Sequence, residues 1–248
     1  MGNKMKDMKE KFDKILYSKT PDFNEEKHEY TKNDKVFTSV TSFISEFFPK
    51  FDQERISQLV ANKRVREGED ITAEEVIKEW NDIRDNGTNV HKEIENAILS
   101  SDINPERYEG ATQQGLIALK GLESLHNYVL YYPELQIYDE DSMLAGTIDL
   151  VAITASGKVH LIDWKTNTKI RKHNDFEKGS HEITKDLDNS NLNKYKLQLN
   201  VYKYLFERLG ENVENMAIIH IRPQYFKVYE ADDCGDMVKN LLDVGRDE

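Results

Sequence analysis

Apolar residues fill residues 143–154 and 158–165 on either side of Ala155-Ser156-Gly157, a pattern that predicts two strands joined by a tight turn. A three-residue loop with Gly157 in the left-handed region pairs Thr154 with Lys158. Counting back along that register sets Asp149 opposite Asp163. Side chains alternate along a strand, so Lys165 projects to the same face as Asp163. Charges in otherwise apolar strands cost several kcal/mol unless they are paired or hold a metal. Two facing carboxylates beside an amine repel as a bare set and become favourable with a divalent cation between the acids.

The rest of the chain divides by period. Residues 4–16 and 52–67 read as amphipathic helices, and Thr72 with Glu75 forms a capping box opening a helix to about Arg84. Asn86-Gly87 is placed to kink that helix, or to end it and let Thr88 cap a new one over 86–98. In that segment His91 and Glu95 stand one turn apart, with Val90, Ile94, Ala97 and Ile98 on an adjoining face. A helix over 113–131 precedes a strand at 134–138. Residues 168–193 are polar and aperiodic and read as a long loop or lid. Residues 195–207 form a helix with Tyr195, Gln198 and Tyr202 on one stripe and Leu197, Val201 and Leu205 beside it. Strands at 216–221 and 225–229 and a helix at 233–243 close the chain, giving an α/β class with a mixed sheet flanked by helices.

Composition narrows the class further. The 248 residues are 38% hydrophobic and 32% charged, and no Gly/Ser-rich or Pro-rich linker divides them, so one domain is expected. Its parts are an N-terminal helical extension (1–35), a core (36–230) and an acidic C-terminal segment (231–248). No apolar run approaches a membrane span, and the first 20 residues lack a signal-peptide core, so an intracellular, cytoplasmic protein without membrane contact is expected. A GxxxxGK[ST] phosphate loop is absent, which excludes a nucleotide-driven motor of that kind.

Asp149 followed by Asp163-Trp164-Lys165 resembles the D…DxK core of the PD-(D/E)XK nuclease superfamily. Gly87-Thr88, His91, Ile94 and Glu95 look like the GTxxHxxIE signature of its RecB-like branch, and Gln198 with Tyr202 matches the branch's QxxxY motif. The three segments occur in the family's order over residues 86–207. The Ser39-Val40-Thr41-Ser42 opening, Glu134, GTIDL, LIDWKT and LQLNVYKYLFE are similar to the mitochondrial genome maintenance exonuclease group and its phage and bacterial relatives.

The resemblance implies a restriction-endonuclease-like core and a Mg²⁺- or Mn²⁺-dependent exonuclease that hydrolyses phosphodiester bonds from DNA ends, preferring single strands. A structure-specific or nicking endonuclease, and a silent DNA-binding scaffold, remain open. On the family pattern, His91, Asp149, Asp163 and the Trp164 carbonyl hold the metal, and Asp149, Asp163 and Lys165 are catalytic. Gln198, Tyr202 and Thr166 would contact or position the strand, Tyr195 would stack on a base, and Glu95 and Glu134 are second-rank candidates. Replication or recombination proteins are the implied partners. With Cys234 as its one cysteine, the chain cannot hold the four-cysteine iron–sulfur cluster of some relatives.

A net charge of −12 opposes phosphate binding, but its distribution does not. Residues 165–178 carry Lys165, Lys169, Arg171, Lys172 and Lys178 against Asp175 and Glu177, so Lys169, Arg171 and Lys172 are candidates for gripping a strand. Residues 230–248 hold seven acids against Lys239 and Arg246 and should repel it.

Overall fold

The computed structural model describes residues 3–100, 112–124 and 128–245. Eight strands form one mixed sheet: β1 (Asp22–Asn24), β2 (Glu29–Lys32), β3 (Lys35–Ser39), β4 (Tyr128–Asp139), β5 (Leu144–Thr154), β6 (Val159–Lys165), β7 (Val213–Ile221) and β8 (Phe226–Glu230). The helices are α1 (Asn3–Leu16), α2 (Val40–Glu46), α3 (Gln53–Arg66), α4 (Ala73–Leu99), α5 (Gln113–Ser124), α6 (Asn191–Glu207) and α7 (Gly235–Val244).

β5 organises the sheet. It pairs antiparallel with β4 along its length and antiparallel with β6 from Ile153↔Val159 to Leu150↔Ile162, while its first residues run parallel to β3. β6 pairs in parallel with β7, and β7 antiparallel with β8. The β5–β6 turn is the one expected: Gly157 has φ +84°, and the Thr154 N–H donates to the Lys158 carbonyl at 3.0 Å.

Both faces are covered. One core joins Phe12, Leu16, Phe43, Ile44, Leu197, Val201, Leu205, Val238 and Leu241 to Val151, Ile153, Leu161 and Ile218. The other packs Val90, Ile94, Ala97, Ala118 and Leu119 on Leu150, Ala152, Ile162, Trp164 and Ile219.

Three expectations need correction. The helix near residue 113 stops at Ser124 and a strand begins at Tyr128, because Leu130 and Tyr132 alternate into the first core; residues 125–127 lie outside the described set. Asn86-Gly87 does not end a helix, since α4 runs unbroken through Gly87 from a Thr72–Glu75 capping box. The N-terminal 35 residues are not only helical. Asn33-Asp34, with φ of +50° and +61°, makes a two-residue left-handed hairpin turn that extends the sheet through β1 and β2.

Candidate metal centre

The centre is a row across three strands. Pro133 pairs with Leu150 and Leu135 with Ile148, so Glu134 of β4 stands opposite Asp149 of β5. The β5–β6 pairing ends at Leu150↔Ile162, and one step further along the same register Asp163 faces Asp149. At this row the strands change the face they present to α6. Leu130 and Tyr132 join the first core before it and Leu135 and Ile137 after it; in β5 the change falls between Ile148 and Val151. Period-2 alternation cannot do this without a local distortion, and Glu134 supplies it with a left-handed φ of +47°. The break brings carboxylates from the sheet within reach of a side chain from α4.

That side chain is His91. Its Nδ1 lies 3.4 Å from Glu134 Oε1 and 3.7 Å from Asp149 Oδ2. Among the described residues, His91, Glu134 and Asp149 have donor atoms all within 4.8 Å of one another. His91 Nε2 is 3.2 Å from the Trp164 carbonyl. In the neutral ring, a proton on Nε2 donated to that carbonyl leaves the Nδ1 lone pair facing the acids, the tautomer a ligating imidazole needs. The Trp164 carbonyl, a candidate ligand, thus stands within hydrogen-bond reach of the histidine ring.

Asp149 takes the Trp164 N–H on Oδ2 at 2.7 Å, a side chain continuing the hydrogen bonding beyond the last paired residues of the ladder. Asp163, 2% exposed, accepts from Lys165 Nζ on Oδ1 at 2.7 Å. Its Oδ2 is equally close to the ammonium but accepts no hydrogen bond. Lys165 also sits 4.7 Å from the centre of the Tyr195 ring. Tyr195, a candidate for stacking on a base, offers its ring to the lysine.

The electrostatics describe an unbalanced anionic site. Burial pushes Asp163 up to about 6 against the pull of Lys165, and burial likewise raises Asp149 despite His91 and Lys165. Burial would lower His91, but Asp149 and Glu134 outweigh it and raise it to about 9. Lys165 is held above the ordinary lysine range because Asp163 and Asp149 overcome its desolvation. Imidazole nitrogen, hard carboxylate oxygens and the unbonded Asp163 Oδ2 fit a small divalent cation such as Mg²⁺ or Mn²⁺.

The flanking motifs find physical roles. A Cβ on Gly87 would lie 2.6 Å from Thr166 Oγ1, so glycine lets α4 approach the end of β6. A Cβ on Gly146 would meet the Tyr202 ring at 2.8 Å. Tyr202 is 4% exposed and hydrogen-bonded to Gln198, so it forms a wall beneath the centre rather than a direct contact for a strand. Gln198 is half-buried, and Glu95, also half-buried, stands outside the His91–Glu134–Asp149 group. Lys169, Arg171 and Lys172 are exposed, with Lys172 over the Tyr229 ring at 5.5 Å.

Two contributors carry no motif. Tyr30 of β2 bonds Thr147 at 3.0 Å and feels the charges of Glu134 and Asp149. Gln114 of α5 donates to the carbonyls of Thr166 and Ile221 at 3.3 and 3.0 Å, clamping the turn after Lys165. Asn33-Asp34, a residue pair suited to a left-handed hairpin turn, is a local signal that could have found the strand bearing Tyr30; nothing local marks Gln114.

The sequence profile of the PD-(D/E)XK nuclease superfamily matches residues 26–240. The chain belongs to that superfamily, whose members are nucleases that use divalent metals, and its His/Glu/Asp group supplies suitable ligands. No curated protein matches the chain. A solved structure described as SSO0001 is similar at 18% identity, covering 64% of this chain and 72% of that one with a TM-score of 0.30, a likeness that carries no argument. No helix among the described residues is long and apolar enough to cross a membrane.

Proposed function

We propose that this protein is a metal-dependent DNA exonuclease of the RecB-like branch, akin to the mitochondrial genome maintenance exonuclease group, acting on ends and preferring single strands. The observation that carries the nuclease reading is the row Glu134–Asp149–Asp163 with His91 above it and Lys165 beside it.

A divalent cation held by His91, Glu134 and Asp149, with Asp163 Oδ2 available, would polarise the scissile phosphate and lower the pKa of a bound water. Asp163 and Tyr195 hold the Lys165 ammonium in place, where it orients the attacking water or neutralises charge on the phosphoryl oxygens. The Trp164 carbonyl keeps the His91 ring turned toward the acids. Tyr202 and Gly146 pack the floor and exclude water from beneath the carboxylates. Asp163, Asp149 and Lys165 are the catalytic residues in this reading, and Thr166 is a positioning residue.

Support for end preference comes from the 168–190 segment, which is tied down rather than loose. The Leu192 N–H donates to the Arg171 carbonyl at 3.1 Å, and Thr184 Oγ1 donates to the Phe47 carbonyl at 2.8 Å. A tethered loop that follows Lys165 in the chain and bears the exposed Lys169, Arg171 and Lys172 favours a strand that enters by its end. The test is digestion of matched linear and covalently closed single-stranded DNA with Mn²⁺. Linear strands should disappear while circles persist; equal rates would replace the exonuclease with an endonuclease, and no cleavage of either would leave a silent scaffold.

A further inference from the structure

The N-terminal half of α4 reaches beyond the metal centre, and its Trp80 meets an aromatic ring from outside the helix. Phe51, in the link between α2 and α3, is 66% exposed, and its ring is 5.7 Å from that of Trp80 at an interplanar angle of 57°. Trp80 is half-buried, so the open surface of the pair lies chiefly on Phe51. A large exposed aromatic gains little where it stands and is well suited to stacking on a base.

Helical geometry aligns this pair with the centre. Trp80 and His91 are eleven residues apart, which at about 100° per residue is three turns plus roughly 20°, so both lie on one stripe of α4 about 16 Å apart. Between them the stripe carries Arg84, which is exposed, and Gly87, which is buried against Thr166, and no acid. Asp82 and Asp85 fall roughly 140–160° away. Arg84 is exposed and, among the described residues, its guanidinium pairs with the equally exposed Asp85, a partner it can exchange for a phosphate. In a chain of net charge −12, the stripe of α4 that joins His91 to Trp80 carries no acid.

We propose that Phe51 and Trp80 form a base-stacking subsite for single-stranded DNA, holding the strand whose phosphate lies at the His91–Glu134–Asp149 centre. The proposal rests on the nuclease reading above and adds where the rest of the strand runs.

The chain has two tryptophans, and Trp164 is 1% exposed, so quenching of emission by a bound base reports Trp80. Wild-type protein is titrated with oligothymidylates of increasing length in Ca²⁺, and cleavage is followed separately in Mn²⁺. Emission should quench once the strand is long enough to reach the pair. Phe51→Ala and Phe51→Leu should weaken binding about 5- to 100-fold, raising KM while kcat stays near wild type, and Phe51→Tyr should restore affinity. Trp80→Phe should bind nearly as wild type without quenching. If wild type cleaves DNA but Phe51→Ala binds equally tightly, the subsite is wrong and the nuclease reading stands. If Phe51→Ala changes only the sedimentation of the protein, the patch joins copies of this chain and the subsite is wrong. If wild type neither binds nor cleaves, both fall.

Discussion

Gly146→Ala tests whether the QxxxY helix acts as a wall under the centre. The added Cβ would meet Tyr202 Cε1 and its hydroxyl at 2.8 Å, where ordinary contact begins at 3.4 Å, so the ring must retreat by 3.4 − 2.8, about 0.6 Å. Tyr202 is 4% exposed among Leu197, Val201 and Leu205, with no open side to retreat into. Overpacking of this kind costs about 1–3 kcal/mol, and replacing a strand glycine returns about 0.5–1 kcal/mol through the unfolded chain. The net loss should be about 1–2 kcal/mol, or about 2–8 °C in Tm for a chain of this length. Because Tyr202 feels the charges of Asp149 and Asp163, its displacement should also slow cleavage by roughly tenfold to a hundredfold. Thermal melts and Mn²⁺-dependent cleavage measure the two effects. In a Tyr202→Leu background most of the stability loss should vanish, whereas Tyr202→Phe, which leaves Cε1 in place, should relieve only part. A Gly146→Ala protein that melts and cleaves as wild type, or costs that simply add in the double variant, would refute the wall.

Lys165→Ala should abolish cleavage while the fold persists, and its remaining instability should shrink when Asp163 is also changed to Asn, since the single variant strands a buried carboxylate; near wild-type turnover would overturn the lysine's role. His91→Ala and Glu134→Gln should each weaken Mn²⁺ binding in calorimetry, and chelator should silence the enzyme; cleavage undiminished in EDTA would exclude the centre. Asp139 is buried, but hydrogen bonds from Ser142 and the Arg208 guanidinium outweigh burial and hold it below the usual carboxylate range. Its stabilisation is therefore present above the unfolded-state pKa of about 3.9 and is lost as pH falls through its lower folded value, so the deficit of Asp139→Asn in urea melts should be largest near neutrality and fade in acid. Neutralising Lys169, Arg171 and Lys172 together should reduce the log–log salt slope of single-strand binding by about 2, at about 0.7 per phosphate contact, and an unchanged slope would show that the three do not touch the strand.

Much of this was legible along the chain because it depends on local geometry. The Ala155-Ser156-Gly157 turn fixes a register, and register alone sets Asp149 opposite Asp163 and puts Lys165 on the same face. Helical spacing aligned the ligand-bearing stripe of α4, and the Thr72–Glu75 capping box marked where that helix begins. Residues 128–131 read as helix from the sequence and fold as strand, since a short apolar run fits either period until a partner strand is known. What only the tertiary structure decided is what long-range packing decides. Glu134 becomes a full member of the centre because β4 pairs with β5 in one register and the left-handed φ at Glu134 turns the strand there. Tyr202 becomes a wall, and Tyr195 a cradle for the lysine, because α6 lies against the sheet at Gly146 and Lys165. The glycine of the GT motif is needed for a close approach to Thr166, 79 residues along the chain, which no window of sequence contains. Local pattern specifies which side chains share a face; only the meeting of distant elements, driven by burial of two separate cores, settles which of them touch.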